Sequence, residues 1–144
     1  MQSERPDNSP AVSLDVTIPG ETRYRETARI LCVQMSKYAG YDEPAAREIG
    51  VAVDSVLWGI IDEVYGRGEA AADGIRLSLY SGELFRVEIR YRRKSAATPA
   101  FEQRLEAQPE GRTLLAYLHR AMDHVEFGCD EAACYCRLTC RAPE

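Results

Sequence analysis

From Val12 to Ile18 apolar and polar positions alternate, with Val12, Leu14, Val16 and Ile18 set against Ser13, Asp15 and Thr17. A period of two predicts a strand buried on one face, and Pro19-Gly20 ends it. The period then lengthens. Ala28, Ile30, Leu31, Val33, Met35 and Tyr38 form an apolar stripe that predicts a helix over 21–39, stopped by Gly40. Asp42 can cap a second helix over 43–65, with Pro44 in the first turn, where its missing N–H costs nothing. Ile49, Val53, Val56, Leu57, Ile60 and Val64 recur there at three and four residues, and Ala52 and Ile61 widen the stripe. This helix therefore faces a core over most of its length, until Gly66 and Gly68 end it.

A hairpin follows. Ile75, Leu77 and Leu79 alternate with Arg76, Ser78 and Tyr80; beyond Ser81-Gly82-Glu83, Phe85, Val87, Ile89 and Tyr91 alternate with Arg86, Glu88, Arg90 and Arg92. Each strand has one apolar and one wet face, as an antiparallel sheet with helices on a single side requires. Residues 93–110 form a polar connection that admits a short helix at 101–107. Gly111 precedes a third helix pattern, Leu114, Leu115, Leu118, Met122 and Val125, and 132–141 reads as a final strand. The order β, α, α, β, β, α, β predicts an α+β two-layer sandwich, with a mostly antiparallel sheet and helices on one face. Residues 1–10, polar with two prolines, read as a flexible tail, and 11–144 as one domain.

Composition agrees with one core. At 144 residues and 45% hydrophobic content, a chain of this size buries roughly two-thirds of its unfolded surface. A net charge of −5 disfavours nucleic acid and anionic membrane at long range. The N-terminal residues lack the basic start and apolar run of a signal peptide. Asp54, Asp62 and Glu63 interrupt the longest apolar helix, so no membrane span is expected and a cytoplasmic location is.

Three segments carry a family resemblance: Val16-Thr17-Ile18-Pro19, Ala52-Val53-Asp54-Ser55-Val56-Leu57-Trp58-Gly59-Ile60-Ile61, and Gly111-Arg112 before a helix. With the element order, they make residues 12–141 resemble the anti-sigma-factor serine kinases of the histidine-kinase-like ATPase (GHKL) superfamily. The resemblance implies that fold and a nucleotide site beside the second helix. In the family this helix bears a Glu as catalytic base and, four residues later, an Asn that binds Mg²⁺. Those positions fall on Ser55 and Gly59, and the next family position downstream on Glu63. Serine is a poor general base at neutral pH and glycine has no side-chain oxygen. The family's Asp followed by glycines is absent between Gly82 and Gly111, where Arg92-Arg93-Lys94-Ser95 stands instead. Its glycine-rich phosphate turn survives only at Gly111 and Arg112, with Thr113 and Leu115 replacing later glycines.

Three elements of one site are thus degenerate together. The resemblance then implies a non-catalytic regulatory domain that needs no cofactor and works by sequestering a protein: a sigma factor, an antagonist of the anti-sigma switch, or a second copy. The enzymatic alternative is a diverged serine kinase that binds Mg-ATP and uses Asp54 or Glu63 as base. Asp54 lies about 100° around the helix from Ser55, which weighs against it.

Other residues admit chemistry beside a plain reading. Cys129, Cys134, Cys136 and Cys140 invite a metal or redox sensor, but their spacing lacks paired Cys-x-x-Cys; Cys134, Cys136, Leu138 and Cys140 also make an apolar strand face of buried structural thiols. Arg86, Arg90, Arg92 and Arg93, with Lys94, form either a solvated sheet face partly paired with Glu88 or a docking patch for an acidic partner. His119 and His124, five apart on the third helix, share no face. Trp58 is either core or a plug in space that ATP would occupy, with Gly59 making room for neighbouring backbone.

Overall fold

The computed structural model describes residues 12–61, 74–92, 101–130 and 133–140. Strand β1 (Val12–Ile18) leads through a 3-10 turn (Thr22–Tyr24) into α1 (Arg25–Tyr38) and α2 (Glu43–Ile60). The hairpin β2 (Ile75–Ser81) and β3 (Phe85–Arg92) follows, then α3 (Phe101–Glu106), α4 (Pro109–Ala121), β4 (His124–Cys129) and β5 (Ala133–Cys140). Five strands make one sheet in the order β1-β2-β3-β5-β4, every neighbouring pair antiparallel.

Alternation along the strands decides which face is covered. Ile75, Leu77 and Leu79 of β2, Phe85, Val87 and Ile89 of β3, and Cys136 and Leu138 of β5 are buried in one cluster with residues of α1, α2 and α4. Arg76, Tyr80, Arg86 and Arg92 point to the opposite, open face. The α+β two-layer arrangement follows from this one-sided burial. Within α2, Val53, Val56, Leu57 and Ile60 are fully buried. Its start is local chemistry: the Asp42 carboxylate accepts the Ala45 N–H at 3.0 Å, and Pro44 occupies the first turn. In α1 the buried Ser36 hydroxyl donates to the Cys32 carbonyl at 2.6 Å, so it enters the core satisfied.

Two expectations change. The third helix begins at Pro109, before Gly111, and stops at Ala121. Met122 turns extended, and Val125 with His124 belongs to β4, a strand the periodicity did not predict. Val125 satisfies a helical stripe after Leu118 and Met122 as well as it satisfies alternation with Glu126, and six residues are too few to separate the two. The short helix expected at 101–107 is α3. The first 11 residues, the expected end of α2 with Glu63 and Val64, and Arg93 and Lys94 lie outside the described residues. Among those described, no helix is long and apolar enough to cross a membrane.

Candidate functional site

The C-terminal half of α2 forms one wall of a cleft of about 270 Å³. Trp58 and Gly59 come from this helix, Phe101, Arg104 and Leu105 from α3, and Gln108, Glu110, Gly111 and Leu114 from α4 and its N-cap. Two glycines let the walls close. A Cβ on Gly59 would stand 2.8 Å from Cζ of Phe101, so the ring seats directly on α2 where other residues would project a side chain. A Cβ on Gly111 would meet the Leu105 carbonyl and Cα, so the α3–α4 corner turns back onto its own backbone.

The lining is mainly apolar, with Arg104, Gln108 and Glu110 as its polar members, a combination that suits an apolar group bearing a polar fringe. The first turn of α4 has no side-chain cap, and Glu110 places a carboxylate at its electropositive end. An incoming anion would meet that carboxylate.

The structure brings together only part of the expected set. Gly59 and Gly111 line the cleft. Ser55 lies one turn earlier on α2, half-buried and outside the lining. Arg112 donates to the Glu106 carbonyl and Thr113 to the Pro109 carbonyl, each at 3.1 Å, so Arg112 ties α4 to the end of α3 and Thr113 bonds back within the first turn of α4. Asp54 receives two hydrogen bonds from Arg25, 3.0 Å from Nε and 2.7 Å from Nη2, which ties α2 to α1 and occupies the alternative base. Trp58 is 51% exposed, so its core reading is corrected: it stands at the cleft edge because its position falls outside the stripe of Val53, Val56, Leu57 and Ile60. Gly59 makes room for a side chain, Phe101, rather than for backbone. Sequence reasoning missed Phe101, and its one signal was the apolar start of the short helix in a polar connection.

The arginines of the open sheet face are interleaved with acids. Arg90 pairs with Glu88 at 3.1 Å, and Arg137 bridges Glu88 at 2.9 Å and Glu126 at 3.1 Å. Both guanidinium groups lie over the Tyr135 ring, 5.3 and 4.9 Å from its centroid. Arg86 and Arg92 are exposed. His119 is exposed on α4 and His124 on β4.

The cysteines divide. Cys134, Cys136, Leu138 and Cys140 share the buried face of β5 as expected, but Cys134 is bonded to Cys129 in a disulfide, which corrects the reading of both as free thiols. The two residues face each other only because β4 pairs with β5 in that register. Cys32, Cys136 and Cys140 are free and buried. Burial pushes the Cys32 and Cys140 thiols up to about 12 and also raises Cys136. Cys140 Sγ lies 3.3 Å from Met122 Sδ. Among the described residues, no group of three or more His, Cys, Asp or Glu side chains is placed to hold a metal ion.

Compared with known families and curated proteins, the chain matches no family model and no curated sequence.

Proposed function

We propose that the chain is a non-catalytic regulatory domain of the histidine-kinase-like ATPase fold, resembling an anti-sigma factor, that acts in the cytoplasm by binding a protein without ATP turnover. The observation that carries this reading is the Phe101 ring on Gly59. A Mg²⁺ ligand in the family arrangement would need an oxygen-bearing side chain at that place, and an aromatic ring takes the space instead. Asp54, the substitute base nearest in sequence, is held by Arg25. The residues present do not fit Mg-ATP.

What the cleft offers is a protein contact. Trp58 is a half-exposed aromatic beside an apolar recess, the kind of anchor on which interfaces concentrate their binding energy. The open sheet face is a weaker candidate, since Arg90 already answers Glu88 and Arg137 is held by two acids. The proposed partner is a sigma factor or an antagonist of the anti-sigma switch, with a second copy of the chain as the remaining option; the net charge of −5 disfavours nucleic acid. Binding would shift the partner between free and sequestered populations by mass action.

Calorimetric titration with Mg-ATP tests the catalytic half: no micromolar binding is expected, and micromolar binding would favour the diverged serine kinase. Co-purification with the sigma factors of the native cell tests the other half. Retention by the wild type and loss in Trp58→Ala is expected; equal retention by both would remove the cleft from the interface. A second reading, a cysteine-based redox sensor, is favoured by the Cys129–Cys134 bond.

A further inference from the structure

We infer that the Cys129–Cys134 disulfide is a thiol-exchangeable switch whose state sets the packing of Phe101, and through it the shape of the cleft at Trp58. This rests on the disulfide, the β4 edge and the cleft geometry, and holds whichever protein the cleft binds.

The bond staples an edge. In the sheet order β4 is terminal and pairs only with β5, whereas β5 is paired on both sides. No residue of β4 is buried, while Cys134, Cys136 and Leu138 of β5 are. The inner face of β4 carries Val125, Phe127 and Cys129, opposite Leu138, Cys136 and Cys134. Phe127 is therefore the residue next to Cys129 on that face. Its ring lies 6.0 Å from the Phe101 ring, centroid to centroid, at 57°. Phe101 in turn seats on Gly59 and lines the cleft. Phe127 thus stands between Cys129, its same-face neighbour on β4, and Phe101, whose ring reaches the site.

Exchange has a defined direction. Cys134 is 4% exposed and Cys129 half-buried, so an incoming thiolate reaches the Cys129 sulfur first. The thiolate of a dithiol reductant bonds to Cys129 Sγ, and Cys134 leaves as a thiolate and takes a proton. The second thiol of the reductant then attacks the mixed disulfide and releases Cys129, which is protonated in turn. Two electrons and two protons pass to the protein, and the dithiol becomes a disulfide. Cys136, two residues from Cys134 on the same face, is kept protonated by burial and does not compete as a nucleophile.

The consequence is local. The bond closes a loop of sequence separation 5, so it constrains the unfolded chain less than a long-range bridge would. The hairpin turn also has closures of its own: Asp130 N–H donates to the Ala133 carbonyl at 2.8 Å, and Ala133 N–H to the Asp130 carboxylate at 2.7 Å. Reduction therefore leaves the strands paired while the two sulfurs must part to non-bonded contact on a packed face. Cys134 sits on the strand held from both sides, so β4 yields, and Phe127 is the first neighbour to move.

Trp58, the one tryptophan of the chain and a cleft residue, reports the outcome. The full chain, treated with oxidised glutathione, is mapped by mass spectrometry without reduction. Its tryptophan emission and acrylamide quenching are then compared before and after dithiothreitol, with far-UV circular dichroism alongside. A Cys129–Cys134 link, a shift in Trp58 emission and quenching on reduction, and unchanged circular dichroism are expected. Cys129→Ser/Cys134→Ser should show the reduced values with or without dithiothreitol, and Phe127→Ala should abolish the response while keeping the link. Absence of the link, identical Trp58 signals in linked and reduced protein, global unfolding on reduction, or a dithiothreitol response in the double serine variant would each overturn the inference.

Discussion

The ring of Phe101 rests on the bare backbone of Gly59, its Cζ 2.8 Å from where a Cβ on that residue would stand. One helix gives up a side chain so that the next can seat one. Overpacking at such a contact costs about 1–3 kcal/mol, and replacing a helical glycine by alanine returns up to ~1 kcal/mol of propensity. Gly59→Ala is therefore expected to lower stability by about 1 kcal/mol in urea denaturation. In a Phe101→Leu background the same change should become neutral or stabilising. Equal costs in both backgrounds would show that the contact is not the cause.

Arg25 and Asp54 join α1 to α2 through two hydrogen bonds, and their side chains are 28% and 23% exposed. This partial burial places the pair above an ordinary surface ion pair, and a coupling of about 1 kcal/mol is expected from a double-mutant cycle with Arg25→Ala and Asp54→Ala. A coupling near zero would mean that the helices hold together without it.

Burial raises the Cys32 thiol from 9.0 to about 12. The folded state therefore binds this proton more tightly than the unfolded chain does. Its contribution to stability is complete below pH 9 and is lost as pH climbs towards 12. Cys32→Ala should lose packing energy at neutral pH yet show a shallower decline between these limits. Part of the slope should remain, because burial also raises Tyr41 and Cys140 to about 12. Parallel curves for wild type and variant would refute the assignment.

Glu88 receives hydrogen bonds from both Arg90 and Arg137 on the open sheet face, with its own side chain 20% exposed. Glu88→Gln should cost about 1 kcal/mol, since partly exposed charge pairs are weakened by solvent. It should also lessen the dependence of stability on salt, because screening acts on the pairs the variant lacks. Denaturation midpoints at low and high salt measure both effects.

Local patterning along the chain was enough to specify β1, α1, β2, β3, the start and buried face of α2, and the one-sided covering of the sheet. Each of these is a local property, a period of two or near 3.6 sustained over at least one face, or a cap such as Asp42 acting on its own first turn. Ser55 and Gly59 carry neither a carboxylate nor a side-chain amide, which is legible from side-chain identity alone. The rest depends on how the elements pack. Val125 fits either period, so pairing with Leu138 makes it a strand residue. Cys129 finds Cys134 through the register of two strands, and Phe101 finds Gly59 through the packing of α3 on α2. Contacts between remote residues depend on how all the elements settle together, and no local period encodes them.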